Sequence, residues 1–392
     1  MNPLSGALVL DFSRILAGPF CTMLLADLGA EVIKIEEPEK GDESRHYGPP
    51  FIEGTSTYFL SVNRGKKSVT LNLEHPTSKN IILNLIPKAD IVVENFRPGT
   101  MAKFGLDYPT LSGLNPKLIY CSISGFGQSG SWSNKPGYDL VIQGMSGLMD
   151  LTGAADGPPF KVGTSIADLV TGLYAVSAIL AAMLERQTSG KGRVLDLALL
   201  DSLTSLLTYQ AARTFAGESA TRMGNDHPSI TPYETFRAAD GYLNVAVGND
   251  RLWKLFCRMI GSEELLTNPQ FSTNQKRVEH RESLREKLDV IFIQKTVADW
   301  ISRLEEAGIP AGPILSVPQI LDSKTLKERN MLESLKLNET TFPFLLNPLR
   351  RLHAANTDTP PPHLGEHTEE ILKKYLGLLP AEVEALRREK AI

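Results

Sequence analysis

The chain has 392 residues, 42% of them hydrophobic, a formal net charge of −4 and a pI near 6.0. That length supports a large core and roughly two domains, and the slightly acidic balance excludes a general nucleic-acid binder, which carries a basic excess. Cys21, Cys121 and Cys257 are far apart and form no CxxC pair, so no disulfide framework is expected and a reducing, cytoplasmic setting fits.

The stretch MNPLSGALVLDFSR lacks a basic segment followed by a long apolar one, and it does not read as a signal peptide. Residues 7–12 (ALVLDF) read as a buried parallel strand and residues 13–18 as a loop. Pro19 suits the first turn of a helix that continues through FCTMLLADLGA. Residues 31–36 and 67–73 are the next strands, followed by the helix SKNIILNLIPK. Residues 90–96 and 118–126 complete a β-α-β series. Strands interleaved with helices predict a Rossmann-like, mostly parallel sheet covered on both faces. Ligands of such sheets sit beyond the carboxyl ends of the strands. The polar loops there are residues 13–18, 37–48, 95–99 and 125–137.

Residues 169–184 form an apolar run that includes Thr171, Gly172, Tyr174 and Ser177. It falls short of the about 18 residues that suggest a membrane span and reads as a buried helix, with no membrane partner. Asp168 stands at its mouth. Burial beside apolar neighbours raises a carboxylate's pKa, whereas a helix N-terminus lowers it. A held, poorly hydrated carboxylate can act as a nucleophile. The same position suits an N-cap, for which Asp is favoured. The residues alone leave both readings open.

From about 184 to 216 the pattern is helical and then irregular. Residues 238–249 read as a hairpin and strand, residues 251–261 as an amphipathic helix, and residues 273–307 as charged helical segments. The expected organisation is a large α/β domain (1–200), a linker (201–227) and a small α+β domain (228–325). A return segment (326–392) follows, whose C-terminal helix packs on the large domain. Its proline run is an extended linker, and Thr368 looks like a helix start.

Gly125, Gly127 and Gly130 match a dinucleotide-binding pattern, but SWSNKPGYD follows where a helix should open, so a plain glycine loop is preferred. His363, Glu366 and His367 spell H-x-x-E-H after three prolines and around Gly365; a loop is preferred over a metal site, and no metal is expected. VNRGKK, with Arg64, Lys66 and Lys67, reads as a solvated turn or as a site for a ligand phosphate.

Many colinear segments together resemble the class III CoA-transferases, the CaiB–BaiF group. They include LDFSRILAGPFCTMLLADLGAEVIKIE, STYFLSVNRGKKSVTLNL, VENFRPGTMAKFGLDY, PGYDL, GTSIADLVTGLYA and SGKGRVLDLALLD. The resemblance covers nearly the whole chain. It implies an enzyme that moves CoA between an acyl-CoA and a free carboxylic acid, with CoA as substrate and no permanently bound cofactor. An aspartate attacks the thioester to give a mixed anhydride, then an aspartyl-CoA thioester. That aspartate falls on Asp168. The resemblance also implies a homodimer of interlocked ring-shaped subunits.

Other positions carry over one by one. Leu16 and Ala17 match a loop along the pantetheine and thioester. Leu71, Asn72 and Leu73 match a strand end near the adenosine. Asn95, Phe96 and Arg97 match a CoA-contacting segment, and Lys103 a phosphate-holding position. Lys135, Gly137 and Tyr138 fall in the binding region beside the active site. A family arginine near the CoA diphosphate falls on Glu37, leaving Lys40 or Lys34 to compensate. Formyl-CoA transferases carry Gln where this chain has Leu16, so formyl or oxalate specificity is not expected.

The texture is most similar to the succinyl-CoA:glutarate-type branch, which implies a dicarboxylic acid. Arg14, Arg45 and Arg222 are candidates to hold a second carboxylate, because bidentate Arg pairing would recognise it. The alternatives are an α-methylacyl-CoA racemase and a non-catalytic acyl-CoA-binding protein. Racemisation needs two acid/base groups. The matching positions read Tyr138 and Asn249, and Tyr, with a pKa of about 10, is a poor base.

Overall fold

The computed structural model describes residues 2–349 and 359–392. The fully buried run LVLD forms β1 (Leu8–Asp11). It pairs in parallel with β2 (Glu31–Glu36) on one side. β3 (Lys66–Thr70) lies beyond β2. On the other side stand β4 (Ile91–Glu94), β5 (Ile119–Ser124) and β6 (Arg193–Ala198). The six-stranded order β3-β2-β1-β4-β5-β6 reverses direction between β1 and β4. A crevice opens at such a reversal, beyond the carboxyl ends of the strands.

β6 lies in a stretch the sequence reading took as helical. Two glycines make the difference. Gly190 ends the preceding helix in a left-handed conformation. At Gly192 a Cβ would fall 1.9 Å from the Leu118 carbonyl oxygen, so only glycine lets this strand enter beside β5.

Helices cover both faces of the sheet. α1 (Ala17–Asp27) takes one face and α2 (Pro76–Leu85) the other. The short α3 (Asp139–Met145) precedes the long α4 (Ile166–Ser189). One core joins Cys21, Leu24 and Leu25 of α1 to Ala175, Val176 and Ile179 of α4, over Val9, Val93 and Ile123. The other joins Ile82 and Leu85 to Ile371, Leu372 and Val383, over Leu10, Ile33 and Val92. The last residues belong to α5 (Thr368–Leu376) and α6 (Pro380–Arg388).

α4 spans 24 residues and by length and composition could cross a membrane. The sequence reading made it shorter because it stopped at the apolar run. Its buried face, including Thr171, Gly172, Ala175 and Ile179, packs on the core. At Gly172 a Cβ would lie 2.9 Å from the Ala17 carbonyl oxygen, so glycine sets how closely α4 approaches α1.

The chain divides into two units. The first comprises Met1–Leu148, Lys161–Ala212 and Thr325–Ile392; the second comprises Met149–Phe160 and Arg213–Lys324. Residues 201–227, read from sequence as a linker, carry the helix Thr208–Phe215 and part of Leu199–Thr204, and are shared between the units. The return segment adds an antiparallel hairpin, Leu332–Leu337 with Thr340–Leu345. Residues 350–358 of that segment lie outside the described residues.

The second unit has its own three-stranded antiparallel sheet, of Tyr233–Arg237, Tyr242–Ala246 and Ala311–Pro313. The amphipathic helix Asp250–Ile260 buries Trp253 and Phe256 in a core with Phe236, Phe292 and Trp300. Phe236 stacks on Phe292 with ring centroids 4.3 Å apart.

Candidate active site

Asp168 is the third residue of α4, inside the first turn, and the N-cap position belongs to Ser165. The capping reading of Asp168 is therefore corrected by one helical turn. Ser165 makes no side-chain cap bond. The Ala167 N–H instead donates to Asp139 Oδ1 at 2.8 Å. Asp139 Oδ2 accepts from Gln143 Nε2 at 2.7 Å, and Gln143 Oε1 accepts from the Val162 N–H at 2.8 Å. α3 thus anchors the chain that enters α4.

An apolar wall stands beside this turn. Leu16, Met23 and Val62 are buried there, with Ile15, Phe20, Tyr58 and Leu169 packed against them. No cation or hydrogen-bond donor binds the Asp168 carboxylate among the described residues. Burial raises its pKa to about 7, and the negative charge of Asp139 adds to the effect. Of the two influences weighed from sequence, desolvation acts on Asp168, and among the described residues no backbone N–H of the first turn bonds its carboxylate. Tyr58, bonded to Ser165, is itself pushed up to about 12, first by burial and then by the Asp168 charge.

The loop of residues 13–18 connects this wall to the crevice, and side chains hold its backbone almost group by group. The Ser13 N–H donates to Asp11 Oδ1 at 2.9 Å, and the Ser13 carbonyl accepts from Lys34 Nζ at 2.8 Å. The Asn95 amide bonds both the N–H and the carbonyl of Arg14, each at 2.8 Å. The Ile15 N–H donates to Asp42 Oδ1 at 3.1 Å. Ile15 has φ +69°, rare for a β-branched residue. Such a conformation costs about 1–3 kcal/mol and persists where surrounding contacts dictate it. Here Asp42 and Asn95 dictate it, and the chain turns to deliver Leu16 to the wall.

The crevice holds a cavity of about 530 Å³ in the first unit. Arg14, Leu71, Asn72, Leu73 and Phe96 line it, together with Glu37, Phe104 and Lys390. Five of the sequence-derived candidates therefore converge on one cavity at the strand ends. Others stand apart from its lining. Asn95 is engaged with the Arg14 backbone. Arg97 and Lys103 are exposed nearby. Lys135 lies over the Trp132 ring, 4.5 Å from its centroid. Gly137 abuts Gly125, where a Cβ would fall 2.9 Å from the Gly137 Cα. Tyr138 is 65% exposed at the start of α3. Leu16 and Ala17 are buried at the start of α1.

The charged candidates fare differently from one another. Arg14 binds Glu43 at 2.7 Å and lies over the Phe96 ring. Arg45 is buried, with Nε and Nη2 on Glu36 and Nη1 on the Pro362 carbonyl, so its donors are committed to the fold. Arg222, in the second unit, binds Asp150 at 2.6 Å. Lys34, expected as a stand-in for the family arginine, is fully buried on Asp42. Arg64 and Lys66 are neither a solvated turn nor a phosphate site, because both are buried, on Asp27 and Asp11. Lys67 pairs with Glu31 and Glu370. His363 bonds Asn338 and lies in the loop before α5.

Sequence reasoning gave no role to Asp139, Gln143, Tyr58, Asp42 and Lys390. Asp139 sits within the PGYDL segment and Tyr58 within STYFLSVNR, so those signals were available. Lys390 had none.

Fold and site define an α/β enzyme with a nucleotide-sized cavity and an ionisable carboxylate that no cation binds among the described residues. The chain belongs to CoA-transferase family III, whose model matches residues 4–368, and it is a CoA-transferase. It is 41% identical over 381 residues to succinyl-CoA:glutarate CoA-transferase of Mus musculus, covering 96% of this chain and 87% of the relative. It is 39% identical to succinate–glutarate CoA-transferase of Agrobacterium fabrum, covering 98% and 97%. A CAIB/BAIF family protein from Brucella suis has a crystal structure that superposes with TM-score 0.84 at 42% identity, covering 96% of this chain and all of that one.

Proposed function

We propose that the enzyme moves CoA from succinyl-CoA, or a similar donor, to a free dicarboxylic acid of the glutarate type through a covalent intermediate on Asp168. The observation that carries this reading is the state of Asp168. It is a carboxylate beside an apolar wall, with no cation bound to it among the described residues, and burial raises its pKa to about 7.

Its anion attacks the thioester carbonyl and expels CoA thiolate, giving an acyl-aspartyl anhydride. The thiolate then attacks the aspartyl carbonyl, releasing the donor acid and leaving aspartyl-CoA. The acceptor carboxylate displaces the thiolate, which returns to the acceptor's acyl carbon and frees Asp168. Hydrolysis at any stage would waste the thioester, so excluding water is the task of Leu16, Tyr58 and Leu169. Leu16 and Ala17 run along the thioester, and the cavity bounded by Leu71–Leu73 and Phe96 takes the adenosine end. The names of the two relatives support the dicarboxylate. Arg14, half-buried at the cavity rim, would hold the second carboxylate by exchanging Glu43 for it.

The functional unit in this reading is an interlocked homodimer, supported by the exposed apolar side chains Leu140, Val141, Leu173, Tyr174 and Leu184 along α3 and α4. The free, buried cysteines support a reducing, cytoplasmic setting. The racemase reading is not favoured. Asn249 caps the helix Asp250–Ile260 through the Leu252 N–H at 2.9 Å and offers no acid or base.

The test is to incubate the protein with succinyl-CoA and a panel of free acids and to follow new acyl-CoA by mass spectrometry. Transfer to glutarate that disappears in Asp168→Ala is the expected result. Proton exchange at the α-carbon of a 2-methylacyl-CoA, with no transfer, would defeat the proposal.

A further inference from the structure

The cavity at the strand ends poses an electrostatic problem. Glu37, Glu39 and Glu74 line it, and a phosphorylated ligand needs the opposite charge. Its cations are Arg14, Lys34 and Lys390. Lys34 is buried on Asp42 and the Ser13 carbonyl. Arg14 is bound to Glu43. The Lys390 ammonium has no ion-pair or hydrogen-bond partner among the described residues.

The backbone around Lys390 is unusual in the same respect. α6 ends in two capping bonds, from the Lys390 N–H to the Arg387 carbonyl at 3.0 Å and from the Ala391 N–H to the Leu386 carbonyl at 2.9 Å. This pattern places Lys390 at φ +58°, the position at which helices prefer glycine. A lysine there is less favourable than glycine, by roughly 1 kcal/mol. The next residue locks the arrangement. Ala391 is fully buried, and its carbonyl accepts from the Asn72 N–H at 2.9 Å and from Ser78 Oγ at 2.6 Å. The C-terminal turn is thereby fastened to the segment that lines the cavity, with a lysine where the backbone alone would favour glycine.

We propose that Lys390 is a phosphate ligand and binds the 3′-phosphate on the ribose of CoA. This rests on the reading that the cavity takes the adenosine end of CoA. The C-terminal turn thereby brings a positive charge to a cavity that Glu37, Glu39 and Glu74 also line.

The test is calorimetric titration of CoA and of 3′-dephospho-CoA into the full-length protein and its Lys390→Gly and Lys390→Arg variants, with thermal melts of each. Wild type should prefer CoA over dephospho-CoA by about tenfold, the scale of one charge-assisted hydrogen bond. Lys390→Gly should bind the two alike, with an unchanged or higher melting midpoint, and Lys390→Arg should keep the preference. A wild-type-sized preference in Lys390→Gly would overturn the proposal. So would an equal loss of both ligands with a lowered midpoint, which marks a structural role. Failure of wild type to bind either ligand would overturn the reading of the cavity itself, and this proposal with it.

Discussion

Asp11 and Asp168 are both carboxylates of the first unit set among apolar neighbours, and their surroundings send them in opposite directions. At Asp11, burial pushes the pKa up, but Lys66, Lys34 and the hydroxyls of Ser13 and Thr22 bring it below the ordinary carboxylate value. At Asp168 burial acts with Asp139, and nothing opposes them enough to keep the pKa from rising to about 7. Desolvation acts on both, on a fully buried Asp11 and a half-buried Asp168; the identity of the nearest charge differs. A buried carboxylate surrounded by cations and donors belongs to the scaffold, whereas one left without them is available for chemistry.

The largest expected effect is on turnover. Asp168→Ala should lower CoA transfer by about 10⁴-fold or more while leaving CoA binding intact, whereas a variant at Asp11 should act through folding. Asp11→Ala would leave Lys66 buried without its carboxylate. Denaturant unfolding should show a loss of about 3–5 kcal/mol, and a loss under 1 kcal/mol would erase the contrast between the two sites.

Asp168→Asn should do the reverse and stabilise the free protein. A carboxyl whose folded-state pKa is raised, from 3.8 to about 7, weakens the fold as pH rises through that window. The gain from Asn should therefore vanish toward pH 4 and be full above pH 7, reaching at most about 4 kcal/mol. Melting midpoints at several pH values would read it; a gain that grows as pH falls would contradict the assignment.

The smallest effect is expected at Asp139. Wild-type kcat/KM should fall as pH drops through about 7, as the nucleophile is protonated. Asp139→Asn keeps an acceptor for the Ala167 N–H but removes the like charge. The midpoint should move down by on the order of one pH unit. An unchanged profile would mean that burial alone sets the Asp168 pKa.

Much of the site was legible in local pattern. ALVLDF, EVIKIE and DIVVENF announced strands whose carboxyl ends meet at the crevice, and Leu71–Leu73, Phe96 and Arg14 all reach it. α4 was legible from its apolar run, although its ends were not. Where the sequence misled, the cause was pairing at a distance. Arg45, Arg64, Lys66 and Lys34 looked like free cations for substrate or phosphate, and each is buried on a carboxylate. In a one-dimensional string, a surface lysine and a buried, paired one are the same letter.

The sequence by itself determined the parallel sheet, the loop between β1 and α1, the position of Asp168 and the family, because strands, helix starts and colinear motifs are written in residues close along the chain. Tertiary structure alone decided which charges are committed and which remain free. It set the Asp168 pKa through burial at an apolar wall drawn from three separate segments, and then through Asp139. It also brought Lys390 beside Asn72, 318 positions away. The physical reason is the same in each case: desolvation and Coulomb interaction depend on distance in space, and separation along the chain does not reveal it.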